Sequence, residues 1–458
     1  MAKPLSMMSR TSVRVALVIF ACFLQASTGW LVWLYHLTPL AASLSVEMLT
    51  MVVGYLMQAV GMGTFIFLGK RWVEGRTRRI AMGVIGAYAA CLACAVISSN
   101  LAIVLAFGYL ANVLCGFVQG FYGYCLARYV DEGRRGTVFG GAYAAATAAG
   151  WLLSIIAGGV LTHGVVGVVT CVVLGVLCVV LMRLDVAPAE DAAKGADAAP
   201  ARGEEQEPRL TTLAYGVVLL VSLTKNAGFG FPAADLLAGV NLESSRLFYG
   251  VGLIVAGLVS DKDRRYGALC CAGALVAPFL MLALSGAAAP ATIMWALGYL
   301  LFGFFTVFRV LLLADLASRD NMPIMAGAGL LYGRIGDALG TALTVTLAST
   351  PLVLILASSV LFAFTMALFF VLYQRLYTPA EEVVPTEREI FERFAAHHDL
   401  SSRERDVLRL LLEEHSNAEI AATLFVSEAT VKYHVRNLLK KTGCKNRLEV
   451  MAKYANVA

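Results

Sequence analysis

Apolar runs of about twenty residues recur through the first 375 positions, separated by short polar or basic stretches. A segment that crosses a bilayer needs roughly 20 mostly apolar residues, because hydrocarbon offers its backbone no partner outside its own helix. That ruler predicts twelve spanning helices. Six lie at residues 15–35, 49–68, 80–97, 101–125, 138–160 and 165–181. Six more lie at 213–231, 248–259, 267–284, 293–316, 326–347 and 352–372, the eighth short enough that its start is expected earlier. Residues 1–26, with Lys3, Arg10 and Arg14 ahead of an apolar run, have the pattern of a signal peptide; eleven further spans favour an uncleaved first helix.

The stretch 183–210, rich in Ala, Glu and Pro, has too few large apolar side chains to build a core and reads as a flexible cytoplasmic linker. It separates a first six-span half, residues 1–182, from a second, residues 211–375. An echo of Phe107-Gly108-Tyr109-Leu110 recurs as Leu297-Gly298-Tyr299-Leu300, as a duplicated bundle would have it.

After residue 378 the pattern becomes amphipathic. Thr386 and Glu389 form a capping box ahead of Ile390, Phe391 and Phe394, predicting a short helix that docks on the tail, on a second copy or on the membrane, or else a partly ordered spacer. Residues 376–395 are read as this linker or coupling element, and 396–458 as a compact four-helix unit. Ser401/Glu404, Ser416/Glu419 and Asn446/Glu449 are capping boxes, Ser427 is an N-cap and Gly443 a C-terminal stop. The third helix, over 428–442, is expected to bury Val431, Val435, Leu438 and Leu439.

Composition sharpens the division. The 458 residues are 59% hydrophobic and 15% charged, against about 25% charged in soluble domains, which excludes an ordinary water-soluble enzyme. Nine of the ten cysteines lie before residue 280 in apolar surroundings, unlike a secreted disulfide scaffold. Cys91 and Cys94 have a metal-like spacing inside an apolar span, where they read as small packing residues. No nucleophile, metal cluster or phosphate loop stands out, so no catalytic residue, metal or cofactor is expected. Lys and Arg gather in the loops after spans two, four, eight and ten, among them Lys70, Arg71, Arg134, Arg135, Arg264 and Arg265, whereas the opposite loops carry Arg246 as an exception. This bias puts the N-terminus, and with an even number of spans the C-terminus, in the cytoplasm, the chain lying in the lipid of the inner membrane.

Gly257-Leu258-Val259-Ser260-Asp261-Lys262-Asp263-Arg264-Arg265 resembles the loop that the major facilitator superfamily repeats after spans two and eight, with Asp263 where glycine is usual; Gly69 to Arg76 is a more degenerate copy. The resemblance covers the first 375 or so residues. It implies a 6+6 bundle whose cytoplasmic loops latch the two halves, with spans one, four, seven and ten facing a central cavity. Charges inside spans are costly and line cavities or pair with each other. Lys225 and Arg309 would then face inward toward a small anionic ligand, with Arg334 a further candidate, although Arg334 and Asp337, three apart on one helix, can neutralise each other. Gln25, Asn112 and Gln119 are the polar positions of the first half.

The tail's basic residues are concentrated from Ser427 onward, with seven Lys/Arg against two Asp/Glu. Two helices joined by a short turn are a helix-turn-helix, whose second member enters the DNA major groove. The string Leu400 to Glu404, Ser416 to Ala421, Val426 to Arg436, Leu439 to Gly443, then Asn446 and Arg447, resembles the LuxR-type DNA-binding domain over the whole module. That resemblance implies double-stranded DNA as partner, with Lys432, Tyr433 and Arg436 at base edges and Thr430, Lys440, Lys441 and Arg447 on the backbone. It also makes a homodimer through the last helix plausible. The expectation is an all-α chain: a membrane-embedded transcriptional regulator, its bundle sensing a small, possibly anionic molecule. The alternative is a solute transporter with a coupled regulatory tail.

Overall fold

The structure, a computed structural model, describes residues 9–41, 44–69, 74–156, 164–183, 208–229, 242–279, 291–347, 349–377 and 387–455. Lys70, Arg71, Thr386 and nearly all of the expected linker at 183–210 lie outside them. The described residues contain helices and no strand, in two compact units, Met1–Tyr377 and Thr378–Ala458.

The first unit contains α1 (Arg10–Leu37), α2 (Leu44–Gly69), α3 (Glu74–Ile97), α4 (Leu101–Tyr129), α5 (Arg135–Ile156) and α6 (Gly164–Arg183). It continues with α7 (Pro208–Phe229), α8 (Leu242–Lys262), α9 (Arg264–Ala274), α10 (Ala291–Arg319), α11 (Gly327–Leu347) and α12 (Pro351–Tyr377). Each expected run overlaps one of these helices within the described residues, and seven described helices are long and apolar enough to cross a membrane. Two of the others have a visible reason for falling short. α9 has 11 residues before a turn at Leu275 and Val276, just ahead of Pro278, which lacks the N–H that Ala274 would need to continue the ladder. α11 carries Arg334 and Asp337 among its glycines.

Local chemistry sets the ends. Ser9 caps α1 by accepting from the Ser12 N–H, and Asn100 caps α4 by accepting from Ala102 at 2.9 Å. α8 starts at Leu242, earlier than the apolar run alone, as its short span demanded.

The first six helices meet the last six where α2 packs on α11, α5 on α8 and α4 on α10. The α5–α8 crossing depends on glycine: a Cβ at Gly136 would strike the Gly257 carbonyl, and one at Gly140 the Leu253 carbonyl. Beside that crossing lies a charged clamp. Asp261, in the last turn of α8 and within the segment whose sequence resembles the facilitator motif, accepts the Gly136 and Thr137 N–H groups at 2.7 and 2.6 Å. Arg264 donates to Asp315 on α10 at 2.7 Å and to the Glu132 carbonyl. Arg135 donates to Asp315 at 2.7 Å and to the Ala127 carbonyl at 2.8 Å. Asp315 is thereby shared by one guanidinium from each side of the interface.

Candidate functional site

The second unit is built around α14 (Ser402–Leu412), α15 (Asn417–Thr423), α16 (Glu428–Thr442) and α17 (Arg447–Ala455). Two of the three capping boxes expected in this unit form in full, Ser401 with Glu404 and Ser416 with Glu419. Ser427 caps α16, and Gly443 ends it at φ 70°. Asn446 accepts from the Glu449 N–H at 2.9 Å, while the Glu449 carboxylate accepts from the Lys445 N–H at 2.7 Å and from the Asn446 side-chain amide at 3.4 Å.

A further helix, α13 (Glu387–His397), belongs to this unit, so its core has five helices rather than the expected four. Phe391 and Phe394 of α13 are buried with Leu400, Leu408, Leu411, Leu438 and Val450, and the Phe394 ring lies 5.3 Å from that of Tyr454. Arg409 sits over the Phe391 ring and Arg405 pairs with Glu392 at 2.9 Å. The apolar face read from Ile390, Phe391 and Phe394 thus docks on the tail itself. A second small cluster, Val407, Ile420, Ala421 and Val431, holds α15 across α16. The turn between them, through Leu424 and Phe425 at φ 54°, makes the helix-turn-helix. Val435 and Leu439 are half-buried where full burial was expected.

The outward face of α16 presents Lys432, Tyr433, Arg436 and Lys440 to solvent, with the Arg436 guanidinium 5.8 Å from the Tyr433 ring. Lys432 lies 3.6 Å from Glu428, an exposed pair of little energetic weight. Thr430 shares its hydroxyl with the Ser427 cap at 2.7 Å. Two other expected phosphate ligands have partners within the unit. Lys441 donates to Glu404 at 2.7 Å and to the Asp399 carbonyl at 2.8 Å, and Arg447 donates to the His415 carbonyl at 2.8 Å. Burial pushes the Glu404 carboxyl up, but the Lys441 ammonium and the Ser401 N–H and hydroxyl outweigh it and hold it below the usual carboxylate range. The caps were legible in the sequence; a lysine returning to one of them 37 residues later was not.

In the first unit, Lys225 (α7), Arg309 (α10) and Arg334 (α11) converge on Asp337, at 2.9, 3.2 and 3.4 Å. Asp337 is 1% exposed. The three candidate ligand cations are therefore brought together, and one carboxylate serves all of them. Next to the cluster is a cavity of about 350 Å³. Of the three cations, Arg334 lines it; Lys225 and Arg309 do not. Seven aromatic side chains contribute to its wall: Trp30 stacks on Tyr55 with centroids 6.1 Å apart, and Phe23 on Tyr143 at 3.7 Å. The Arg334 guanidinium lies 5.4 Å from the Tyr55 ring. Gln58 and Gln119 supply amides; Gln58 bonds Asn112 at 2.7 Å. Tyr55 and Gln58 escaped the sequence reading, since isolated polar or aromatic residues on an apolar helix give no pattern.

Residues 398–453 match the family described as bacterial regulatory proteins, luxR family. The spore germination protein GerE of Bacillus subtilis (strain 168) is 42% identical over 52 residues, which are 11% of this chain and 70% of that protein. The uncharacterized transcriptional regulatory protein YhcZ of the same organism is 49% identical over 53 residues, 12% of this chain and 25% of its own length. The nitrate/nitrite response regulator protein NarP of Escherichia coli (strain K12) is 46% identical over 61 residues, 12% of this chain and 28% of its own. The chain thus spans about a quarter of the length of the last two. The human organic anion transporter MFSD10 (TETRAN) superposes with a TM-score of 0.53 at 16% identity, over 80% of this chain and 98% of that one, a likeness of fold. Through residues 398–453 the chain belongs to the luxR family of bacterial regulatory proteins, and that domain follows a helical region whose fold is similar to that of the human organic anion transporter MFSD10 (TETRAN).

Proposed function

We propose that this chain is a membrane-embedded transcriptional regulator. Its first unit is a bundle of twelve spans in two sets of six, set in the inner membrane with both termini cytoplasmic. It senses a small anionic molecule and controls sequence-specific DNA binding by the tail. The observation that carries the reading is the joining, in one chain, of a capped and packed luxR-family domain to apolar helices of transporter-like fold. A helix-turn-helix tethered in this way reaches DNA only from the cytoplasmic face. Lys432, Tyr433 and Arg436 read base edges, and Thr430 and Lys440 hold the backbone, as the outward face of α16 allows. Lys441 and Arg447 serve mainly to set α16 and α17 in place. Leu448, 70% exposed on α17, is the apolar contact of a homodimer through the tail.

Mapping of DNA cross-linked to the full-length protein should give discrete enriched sites, lost in Arg436→Ala. A reporter fused after Ala458 should be active in the cytoplasm. Activity of that reporter only outside the membrane would overturn the reading.

Transport coupled to gene control is a second reading, favoured by the clamp at Asp315, which joins the two sides of an interface that a rocking bundle would open. Counterflow of solute in proteoliposomes separates the two; a regulator without transport shows none.

A further inference from the structure

Among the described residues, Lys225, Arg309 and Arg334 share the single carboxylate of Asp337, three cations on one anion inside an apolar bundle. Buried charge without a counterion is costly, and the cluster is electrostatically incomplete. Its outlet is the neighbouring cavity, where Arg334 is the charged wall residue. The Nε of Arg334 has no partner among the described residues.

Another wall residue is incomplete in the opposite sense. Gln119 is 5% exposed, and its amide nitrogen is occupied by Cys115 Sγ at 3.2 Å and Gln58 at 3.5 Å, so its oxygen is left as a buried acceptor. That Oε1 has no partner among the described residues. The remaining wall is rich in rings, including Trp30, Tyr55 and Tyr143. A volume of about 350 Å³ lies within the roughly 300–1,000 Å³ of small-ligand pockets.

We propose that this cavity binds a small aromatic carboxylate that also carries a hydroxyl or amino donor. The carboxylate takes the free edge of Arg334, whose parallel N–H groups fit two oxygens. The ring lies against Trp30, Tyr55 and Tyr143, where offset or edge contacts add to burial. The donor satisfies Gln119 Oε1. Lys225 and Arg309 do not touch the ligand; they occupy Asp337 and so keep Arg334 available. This deepens the sensor reading and rests on it, but binding and DNA control are measured separately so that either can fail alone.

The test is a fluorescence titration of the full-length protein in nanodiscs, with Trp30 and Trp151 of the cavity wall as reporters. The probes are 4-hydroxybenzoate, benzoate, 4-hydroxybenzyl alcohol and cyclohexanecarboxylate. The expected order places 4-hydroxybenzoate first, with a loss of about tenfold or more when the carboxylate becomes an alcohol, since a charged hydrogen bond is forfeited. Removing the hydroxyl or saturating the ring should each weaken binding several-fold. Arg334→Gln should erase the preference for acid over alcohol. Gln119→Leu should erase the preference for 4-hydroxybenzoate over benzoate while benzoate still binds. Equal binding of acid and alcohol by the parent, or no binding of 4-hydroxybenzoate, overturns the proposal, and neither result requires a folded variant. If 4-hydroxybenzoate binds as stated yet leaves DNA occupancy unchanged, the site stands and the sensor reading falls.

Discussion

Lys440 and Lys441 are adjacent on α16, and their substitution should produce two different failures. Lys441 donates to Glu404 at 2.7 Å and to the Asp399 carbonyl at 2.8 Å, with its side chain 37% exposed and Glu404 almost fully buried. A hydrogen bond to a charged group out of water contributes about 1.5–3 kcal/mol. Partial exposure of the ammonium screens it, leaving about 1–2 kcal/mol. Glu404 is not orphaned in Lys441→Ala, because it keeps the Ser401 N–H at 2.8 Å. For a domain of this size each kcal/mol shifts the midpoint by roughly 4–8 °C, so the thermal unfolding midpoint of residues 378–458 should fall by about 4–16 °C. Lys440 is exposed on the outward face of α16. Lys440→Ala should leave the midpoint within about 2 °C, yet reduce the slope of log affinity against log salt by about 0.9, one phosphate contact. A double-substitution cycle with Glu404→Gln isolates the Lys441 contact. If Lys441→Ala left stability unchanged and altered the salt slope as Lys440→Ala does, the inward assignment of Lys441 would be wrong.

Arg436→Ala should flatten sequence preference, a loss of about 1–3 kcal/mol of discrimination, visible when operator and scrambled duplexes are compared at one salt concentration. The tail should also weaken in acid in two stages. Burial and the Lys453 and His397 charges make the His398 imidazole harder to protonate in the folded state, so its contribution is present at high pH and is lost as pH falls below the unfolded value of about 6.5. Glu404 and Glu419 are held below the usual carboxylate range, so their contribution is intact above about pH 4.3 and disappears as pH falls through their folded values. Unfolding midpoints from pH 8 to pH 3 should show both stages, and His398→Asn should remove only the first. In the bundle, Asp337→Asn strips three cations of their shared carboxylate and should cost about 3–5 kcal/mol, read as a lower unfolding temperature in detergent. Adding Lys225→Met should recover part of that loss; no recovery would argue against shared pairing.

The sites differ in how far the sequence reached them. Lys432, Tyr433 and Arg436 were legible because helical period, caps and turn fix which face of α16 points outward, and all of those signals are local. The bundle's cations were legible as anomalies, since a charge in an apolar run stands out. Their partner was not. Asp337 had been paired with Arg334 alone, three residues away, whereas Lys225 and Arg309 reach it from 112 and 28 residues away.

By itself, then, the sequence determined the helices, the division into an apolar body and a charged tail, the caps and the outward face of α16, because hydrophobic period and capping depend on neighbours within a few residues. Tertiary structure alone decided that α13 joins the tail core, that Lys441 turns inward to Glu404, and that Arg334 lines a cavity while Lys225 and Arg309 stand behind it. Those outcomes depend on which helices approach one another, and packing across long chain separations leaves no period along the chain.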